Sequence, residues 1–304
     1  MSSATLERAA VAARPRLVAI AYRMLGSMSD AEDVVQDALV KAQRGAPPDL
    51  EEPVAYLTTV TTRAAIDHLR SARVRRESYV GPWLPEPVLA DPMPDANTHA
   101  ELVESLSMAF LVVLEALTPE ERATLLLHDV FGYSHAEVGA TLGRSVDASR
   151  QMLRRARRAV EAHRPRFAVD RVRHEALVRR FLAACEGGDM ATFLELLTDD
   201  VTYVADGGGV VTAVPRPVQG AERVARLLGH FARLERRTVR FSLVPVNGQP
   251  AIAVHDHDRL TGAVLVDVAS DGRIGAVRWI RNPAKLGHLA RALAARPPEP
   301  PVRD

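Results

Sequence analysis

The stretch at residues 134–162, SHAEVGATLGRSVDASRQMLRRARRAVEA, carries two helical patterns that meet at Gly143. Ser145 follows the glycine and is a residue type that caps helix N-termini, so it predicts the start of the second helix. Together the two patterns predict a pair of packed helices joined by a tight turn, a helix-turn-helix. One face of the second helix is small or apolar at spacings of three and four residues and is expected to face the core: Val146, Ser149, Leu153, Ala156 and Val160.

The opposite face of the second helix is polar and strongly basic. Arg and Gln in the first turns of such a helix can reach base edges in the major groove, and later arginines can contact phosphates. A solvated basic helix end, favoured by the helix dipole and without any ligand, is the alternative interpretation. The candidate residues for duplex DNA are Asp147, Arg150, Gln151, Arg154, Arg155 and Arg158.

Two more charged helices are predicted upstream. Residues 63–76 are rich in arginine, and residues 30–42 carry acidic side chains beside apolar ones. An acidic surface repels DNA, so we expect the second of these helices to face a basic protein partner. Favourable charges at a helix N-terminus explain Asp30, Glu32 and Asp33 without any partner. Ser29 and Glu32 predict where this helix begins.

The rest of the chain divides by its patterning. Five prolines within residues 77–96 predict an extended linker, and Thr118, Pro119 and Glu121 mark a returning helix with a capping box. After residue 165, helices are predicted at 173–185, 190–197 and 221–237, with strands at 201–205, 239–246, 251–257, 263–269 and 274–280. The sequence therefore predicts helical domains at 1–77 and 98–166, a linker at 78–97, an α+β domain at 167–295 and a disordered tail at 296–304.

Composition narrows the class of protein. The 304 residues include 39 Lys and Arg against 38 Asp and Glu and are 47% hydrophobic, which excludes a disordered chain. Because the net charge is near zero, any nucleic-acid site must be local. The single cysteine, Cys185, cannot form an internal disulfide. Without a signal peptide pattern or an apolar run of about 20 residues, we expect a cytoplasmic protein that does not enter a membrane.

Three stretches resemble the extracytoplasmic-function (ECF) sigma factors of RNA polymerase, in the family's order. They are DAEDVVQDALVKA (30–42), YLTTVTTRAAIDHLRSARVRRE (56–77) and LTPEERATLLLHDVFGYSHAEVGATLGRSVDASRQMLRRARRAV (117–160). The resemblance implies that residues 1–77 are sigma region 2, a helical bundle, and that residues 98–166 are region 4. It further implies core RNA polymerase as partner, through the β′ clamp helices and the β flap, and promoter DNA as ligand.

The resemblance also assigns roles to residues. The helix at 30–42 corresponds to the core-binding segment, which gives Asp30, Glu32, Asp33, Val35, Gln36 and Asp37. The helix-turn-helix corresponds to the reader of the promoter −35 element. The segment at 63–76 corresponds to the one that melts and reads the −10 element, which gives Arg63, Asp67, His68, Arg70, Arg73, Arg75 and Arg76. Many family members carry Asn where this chain has Arg63, so its promoter sequence is not copied from theirs.

Three short motifs resemble one subgroup of these sigma factors, which carries a fused SnoaL-like domain of the NTF2-like α+β cone type. In that subgroup the fused domain implies regulation in cis, and no separate anti-sigma factor is expected. Val210 and Ala284 depart from the motifs, where a basic and an acidic residue are common. The residues implied to act between domains are Trp83, Leu84, Pro85, Glu86 and Pro87, then Asp206, Gly207, Gly208 and Gly209, then Asn282, Pro283, Lys285 and Leu286.

Two functions of another class stay open. NTF2-like domains often enclose an apolar pocket, so this one can bind a small molecule, either as a SnoaL-like cyclase, isomerase or hydrolase or as the sensor of a helix-turn-helix repressor. The acidic helix argues against the repressor. His255 and His257 lack an identifiable third metal ligand, and strand alternation separates His255 from Asp256. Tyr203, Asp206 and Asp258 complete the polar candidates, and from them we expect no enzyme, no cofactor and no metal site.

Overall fold

The structure, a computed structural model, describes residues 3–47, 49–77, 79–89, 105–163, 170–235 and 239–295. These residues form two compact units. The helical unit contains the described residues up to Tyr79 and those at 105–163, and the mixed unit contains Val80–Leu89 with the described residues from 170 onward. The predicted tail at 296–304 and the second half of the predicted linker lie outside the described residues.

The helical unit begins with three long helices, α1 (Ser3–Leu25), α2 (Met28–Gly45) and α3 (Pro53–Glu77), which pack on one another. Gly26 ends α1 with a φ of 68°, and Ser27, not the predicted Ser29, caps α2 by accepting a hydrogen bond from the Asp30 N–H. The prediction was wrong by two residues because the capping residue must be extended, and Ser29 is already helical.

The other described helices of this unit are α4 (Met108–Leu114), α5 (Pro119–Leu125), α6 (His135–Leu142) and α7 (Val146–His163), with a π-helical turn at Leu126–Val130. The predicted capping box between Thr118 and Glu121 is confirmed. Gly143, at φ 63°, ends α6 and opens the turn into α7. Val146 was wrongly predicted to face the core. It starts α7 next to the exposed turn and stays 38% exposed, whereas Met152 is buried.

The mixed unit confirms the predicted α+β architecture. Its helices are α8 (Arg171–Gly187), α9 (Met190–Leu196), α10 (Ala221–Glu235) and α11 (Gly287–Ala294), with a 3₁₀ turn at Pro283–Lys285. Its strands are β1 (Leu197–Asp206), β2 (Val218–Gln219), β3 (Val239–Val246), β4 (Gln249–Asp256), β5 (Arg259–Val268) and β6 (Ile274–Ile280). The sheet order is β2-β1-β6-β5-β4-β3, and β1 runs parallel to β6 while the other neighbours are antiparallel.

Helices α8, α9 and α10 pack on one face of this sheet and form its core. Phe181 and Phe193 come from the helices, and Tyr203 and Trp279 from β1 and β6. A cavity of only about 40 Å³ lies in this core, and Phe181, Tyr203 and Trp279 are among the residues that line it. Among the described helices, none combines the length and the apolar character that crossing a bilayer requires.

Candidate functional site

The basic surface of α7 is the first candidate site. All six residues predicted to contact duplex DNA are exposed, on the side of the helix opposite to Leu153 and Ala156. Two of the arginines have carboxylate partners: Arg150 pairs with Asp147 at 3.0 Å, and Arg155 pairs with Glu121 at 3.1 Å. Neither Arg154 nor Arg158 forms an ion pair with any described residue, so both guanidinium groups face solvent.

A further arginine of α7, Arg157, braces the helix-turn-helix. Its guanidinium donates two hydrogen bonds to Asp129, at 2.9 and 2.6 Å, and the His128 ring lies 2.9 Å from the same carboxylate. Burial opposes the ionisation of Asp129, yet the hydrogen bonds from Arg157 and His128 hold the pKa of this carboxyl below its usual value. Arg157 is therefore engaged inside the domain, unlike Arg154.

The second candidate surface lies on α3. Arg63, Asp67 and Arg70 are exposed, and His68 is half-buried with Nε2 3.5 Å from an Asp30 carboxylate oxygen. The backbone of Arg73, Arg75 and Arg76 belongs to α3, but these side chains lie outside the described ones. Arg63 and Arg70 both reach across to helices of the second helical domain.

The acidic surface of α2 is the third. Glu32, Asp33, Gln36 and Asp37 are exposed and Asp30 is half-buried. Val35 corrects the prediction: its side chain is 0% exposed, because it lies on the apolar face that packs against α1 and α3, so it cannot touch a partner. The remaining five residues form a contiguous polar surface at which a protein partner can bind.

The fourth candidate site lies in the mixed unit, where it holds the part of the predicted linker at Val80–Leu89. The Leu84 N–H donates to Asp206 Oδ2 at 2.8 Å, and Lys285 Nζ donates to the Leu84 carbonyl at 2.5 Å. Lys285 Nζ also pairs with Asp206 Oδ2 at 2.6 Å and lies 4.1 Å from the centroid of the Trp83 ring. Asp206 is 0% exposed, so one buried ion pair holds both backbone groups of Leu84. We call Asp206, Lys285 and Asn247 the linker seat.

Strand pairing explains how two parts of the sequence meet in this seat. Asp206 ends β1 and lies opposite Ile280 at the end of the parallel strand β6, after which the chain turns through Asn282 into the Lys285 turn. The Asn282 N–H donates to the Asp206 carbonyl at 2.9 Å. Gly208 must be a glycine, because its φ is 63° and a Cβ would lie 2.3 Å from Asn282 Nδ2. The two motifs at residues 206–209 (DGGG) and 282–286 (NPAKL) thus pack against each other.

The remaining motif residues take different positions. Gly207 allows a close approach of the Val211 carbonyl, which a Cβ would meet at 2.4 Å, and Gly209 lies against Val80. The rest of the linker motif is buried with the seat, and Leu286 is buried too, whereas Pro283 is exposed. These buried linker residues are Leu84, Pro85, Glu86 and Pro87.

Asn247 is a member of the seat that the sequence reasoning missed. Its Oδ1 accepts a hydrogen bond from the Val88 N–H at 3.1 Å, and its own N–H donates to the Val88 carbonyl at 2.8 Å. Asn247 has a φ of 53° in the turn between β3 and β4. The signal was present, since an Asn-Gly pair between two strands predicts a tight hairpin turn, but nothing in it indicated a bound segment.

The residues weighed for enzyme chemistry do not form one group. Tyr203 is packed in the core, Asp206 belongs to the seat, and Asp256, His257 and Asp258 are exposed around the turn after β4. Burial, with a smaller contribution from the charge of Arg240, lowers the pKa of half-buried His255. Within the described ranges, no group of three or more His, Cys, Asp or Glu side chains is arranged to hold a metal ion.

Comparisons with known proteins agree with one another over about nine tenths of the chain. Residues 11–75 match the family model for Sigma-70 region 2, residues 107–160 that for Sigma-70, region 4, and residues 178–277 that for the SnoaL-like domain. The chain is 37% identical to the ECF RNA polymerase sigma factor SigJ of Mycobacterium tuberculosis, over 90% of this chain and 91% of SigJ. It is 31% identical to a probable ECF sigma factor, SigI, of the same organism, over 92% and 94% of the two chains. The crystal structure of SigJ superposes with a TM-score of 0.73 at 33% identity, covering 91% of this chain and 96% of SigJ.

Proposed function

The chain belongs to the ECF sigma factors of RNA polymerase, and from that premise we propose how its surfaces share promoter recognition. Its relatives are sigma factors, which are not enzymes, and its sigma regions imply binding to RNA polymerase and promoter DNA. In the proposal, α7 reads the −35 element, α3 captures the −10 element and α2 binds core polymerase. The mixed unit regulates these contacts in cis by holding the linker.

The −35 assignment rests on the exposed cations of α7. Arg150 and Gln151 lie in the first two turns, where side chains of a recognition helix meet base edges, and Arg154 and Arg158 follow at the spacing that reaches phosphates. Arg155 and Arg157 are held by Glu121 and Asp129, so we expect them to fix the helix in place.

The −10 and core-binding assignments rest on charge. Melting requires bases to be unstacked, which costs a few kcal/mol for each flipped base, and a protein without ATP chemistry can supply this only by binding. The exposed Arg63 and Arg70 of α3 supply cations for that strand. The polar surface of α2 has the opposite sign at Glu32, Asp33 and Asp37, so it suits a basic protein surface rather than DNA.

Regulation in cis rests on one observation, the buried Asp206–Lys285 pair that grips Leu84. By their names the two promoter elements lie about 25 base pairs apart, roughly 85 Å of duplex at about 3.4 Å per base pair. The predicted linker, residues 78–97, spans at most about 70 Å when fully extended. The linker alone is therefore shorter than the distance between the two elements, and the helical domains must supply the rest. Fixing residues 83–88 on the mixed unit shortens that reach.

The sigma-factor role is tested with purified components. Core polymerase supplied with the full chain should start transcription at promoters found by sequencing transcript 5′ ends after overexpression. The exchanges Arg154→Ala and Asp33→Asn should reduce that activity, the first through DNA and the second through polymerase binding. Failure to initiate at any promoter, including the region upstream of its own gene, would overturn the assignment.

The cis-regulatory role is tested separately. Asp206→Asn and Lys285→Met each change a member of the linker seat, and Trp83→Ala removes the ring that lies against Lys285; each of these three seat variants should change transcription from the same promoter. Arg179→Met, which breaks the exposed Arg179–Glu175 pair on α8, is the matched control. Unchanged transcription in all three seat variants would contradict regulation through the linker.

An enzymatic role for the mixed unit has less support. Pockets for small molecules usually measure about 300–1,000 Å³. The core cavity of about 40 Å³ holds only a few water molecules, although an open groove of about 490 Å³ lies next to it and shares Cys185 and Phe241 with its lining. We therefore propose that the unit acts by holding the linker, and a regulatory ligand remains a prediction.

A further inference from the structure

Within the mixed unit, residues 207–215 leave the end of β1 and run beside the start of the bound linker. An added Cβ at Gly209 would lie 3.0 Å from Val80 Cβ, and an added Cβ at Gly81 would lie 3.9 Å from the Pro215 carbonyl oxygen. The segment therefore lies against the linker at two places, both ahead of the part that the linker seat holds. We call residues 207–215 the strap.

The carboxylate of Asp206 connects the strap to the linker seat. Its Oδ1 accepts a hydrogen bond from the Gly208 N–H at 3.1 Å, while its Oδ2 accepts those of Leu84 and Lys285. Asp206 is fully buried, so its charge depends on such donors. A strap that moves away takes the Gly208 N–H with it, and the carboxylate that binds Leu84 is then less well satisfied.

Arg281 holds the middle of the strap. Its Nη1 donates to the Thr212 carbonyl at 2.9 Å, and its backbone N–H donates to the Asp206 carbonyl at 2.8 Å. Beyond Thr212 the strap returns to the core of the mixed unit, against which Ala213 and Val214 pack. Arg281 therefore connects the strap to the paired ends of β1 and β6.

An aromatic ring fixes the position of the Arg281 guanidinium. The group lies 4.7 Å from the centroid of the Trp279 ring, which is a favourable arrangement of a cation over an aromatic face. Phe231 packs against this ring edge to face with centroids 5.1 Å apart, and the ring Nε1 lies where Gly262 has no side chain, 2.5 Å from an added Cβ. Because the ring is packed in this way, the stacked guanidinium loses little further freedom when it donates to Thr212.

We propose that the strap retains the linker in its seat, and that Arg281 is the positioning residue that keeps the strap against the linker. The linker seat holds Leu84 and Val88, and the strap adds a third restraint where the linker enters. Loss of the Arg281 contact should therefore release Leu84 first and leave the Asn247 contact at Val88 in place. The consequence for transcription rests on the proposed regulation in cis, whereas retention of the linker does not.

The first test replaces Arg281 in the full chain. Arg281→Met removes the donor and the charge but keeps an unbranched side chain that can lie on the Trp279 ring. Amide hydrogen exchange, resolved by residue, should accelerate by about threefold or more at Leu84 and keep the parental rate at Val88. Arg281→Lys keeps a cation over the ring, so its rate at Leu84 should fall between those of the parent and the Met variant. An unchanged rate at Leu84 in the Arg281→Met chain would overturn the proposal.

Arg273→Met is the matched control. Arg273 precedes β6, at the opposite end of the strand from Arg281, and its Nη1 also donates to a backbone carbonyl, that of Leu197, at 3.1 Å. This exchange should leave the rate at Leu84 unchanged. Equal acceleration at Leu84 and Val88 in the Arg281→Met chain, or the same acceleration at Leu84 in the control, would show only a general loss of stability and would overturn the proposal.

A reversible cross-link tests the strap without altering Arg281. In a Cys185→Ser background, Val80→Cys and Gly209→Cys place two Cβ atoms 3.0 Å apart, close to the separation of about 3.5–4.5 Å found across disulfides. The oxidised chain, with the disulfide verified by mass spectrometry, should exchange at Leu84 about threefold or more slowly than the same chain in dithiothreitol. Equal rates in the two states would overturn the proposal, even if the Arg281→Met chain does not fold.

Transcription from the promoter used for the seat variants separates this inference from the proposed function. If the linker regulates the sigma factor in cis, Arg281→Met should change transcription in the same direction as Asp206→Asn, by about twofold or more. Faster exchange at Leu84 with unchanged transcription would support the strap and count against regulation through the linker. Changed transcription with unchanged exchange at Leu84 would overturn the strap.

Discussion

Asn247 and Val88 form two hydrogen bonds, although 159 residues of sequence separate them. The Asn247 side-chain oxygen accepts from the Val88 N–H at 3.1 Å, and the Asn247 N–H donates to the Val88 carbonyl at 2.8 Å. The segment at 83–88 is thus held at two points, by the Asp206–Lys285 pair at Leu84 and by a hairpin turn at Val88. Two-point attachment fixes both the position and the direction of the segment.

Replacing Asn247 should loosen the second point alone. Asn247→Gly tolerates the φ of 53° but leaves the Val88 N–H without its acceptor, at a cost of about 1 kcal/mol. We expect amide hydrogen exchange at Val88 to accelerate about fivefold, with little change at Leu84. Asn247→Asp keeps the acceptor oxygen and should exchange at the parental rate. Equal exchange in the Gly and Asp variants would contradict the role given to Oδ1.

Breaking the buried Asp206–Lys285 pair should lower the free energy of unfolding far more than breaking an exposed ion pair. Lys285→Met leaves Asp206 charged and buried without compensation, which should lower the free energy of unfolding by about 3 kcal/mol. Arg179→Met, in an exposed i,i+4 pair, should lower it by about 0.5 kcal/mol or less. Denaturant unfolding followed by tryptophan fluorescence is the measurement, because Trp83 and Trp279 both belong to the mixed unit. Similar losses in the two variants would refute this ranking.

Two glycines with left-handed backbones provide a matched pair. Gly272→Ala meets no atom within 4 Å and should cost about 1–2 kcal/mol from its φ of 82° alone. Gly208→Ala adds a collision with the Asn282 side chain, which is itself fixed by its bond to the Ala284 N–H, so its loss should be clearly larger. The same fluorescence assay compares them, and equal losses would mean that Asn282 moves aside freely.

The unpaired arginines of α7 should contribute to DNA affinity. Arg154→Ala should weaken promoter binding of the polymerase complex by about 1–3 kcal/mol if it reads a base, with loss of sequence preference at one position. If it contacts a phosphate, the loss should be uniform across sequences and the salt slope should fall by about 1. Binding at several salt concentrations to the wild-type and altered promoters distinguishes the two. Unaltered binding in all of them would exclude Arg154 from the interface.

Acid should destabilise the mixed unit through His174. Burial lowers the pKa of this histidine, while its hydrogen bond to the Val266 carbonyl and the charge of Asp267 oppose the shift only partly. A lowered folded pKa means that the unfolded chain binds the proton more readily. The contribution to stability is therefore complete above the unfolded pKa of about 6.5 and is lost as the pH falls to the folded value. His174→Gln should reduce the difference in unfolding free energy between pH 8 and pH 5.5, and an undiminished difference would contradict this assignment.

Most helices and strands could be predicted from the sequence because short local patterns indicate where each begins or ends. The capping box at Thr118, the glycine at 143 and the five alternating strands all follow from neighbours within a few residues, and all are found. The two-residue strand β2 was missed because it carries too few residues to show a period, and helix α11 was missed because Leu286 precedes it without a side-chain cap that would mark its start.

The candidate functional sites could be predicted only in part, because several of their contacts join residues that are far apart in the sequence. Charge patterns located the exposed arginines of α7, but the burial of Val35 and the engagement of Arg63 depend on residues up to 78 positions away. Asn247 contacts Val88 only in the folded chain, and a local sequence pattern does not predict such a long-range contact. The motif resemblance pointed to Asp206 and Lys285, which the structure joins in one buried ion pair.

The large separation of the linker from its seat has a consequence for synthesis. Lys285 lies 201 residues after Leu84, so at about 5–20 residues per second a ribosome makes it roughly 10–40 s later. During that interval the complete sigma portion has been synthesised while the backbone groups of Leu84 have no seat. Under the proposed regulation through the linker, each newly made molecule lacks that regulation until Lys285 has been made, and a chain that is stalled or cleaved before Lys285 never forms the contact with Leu84.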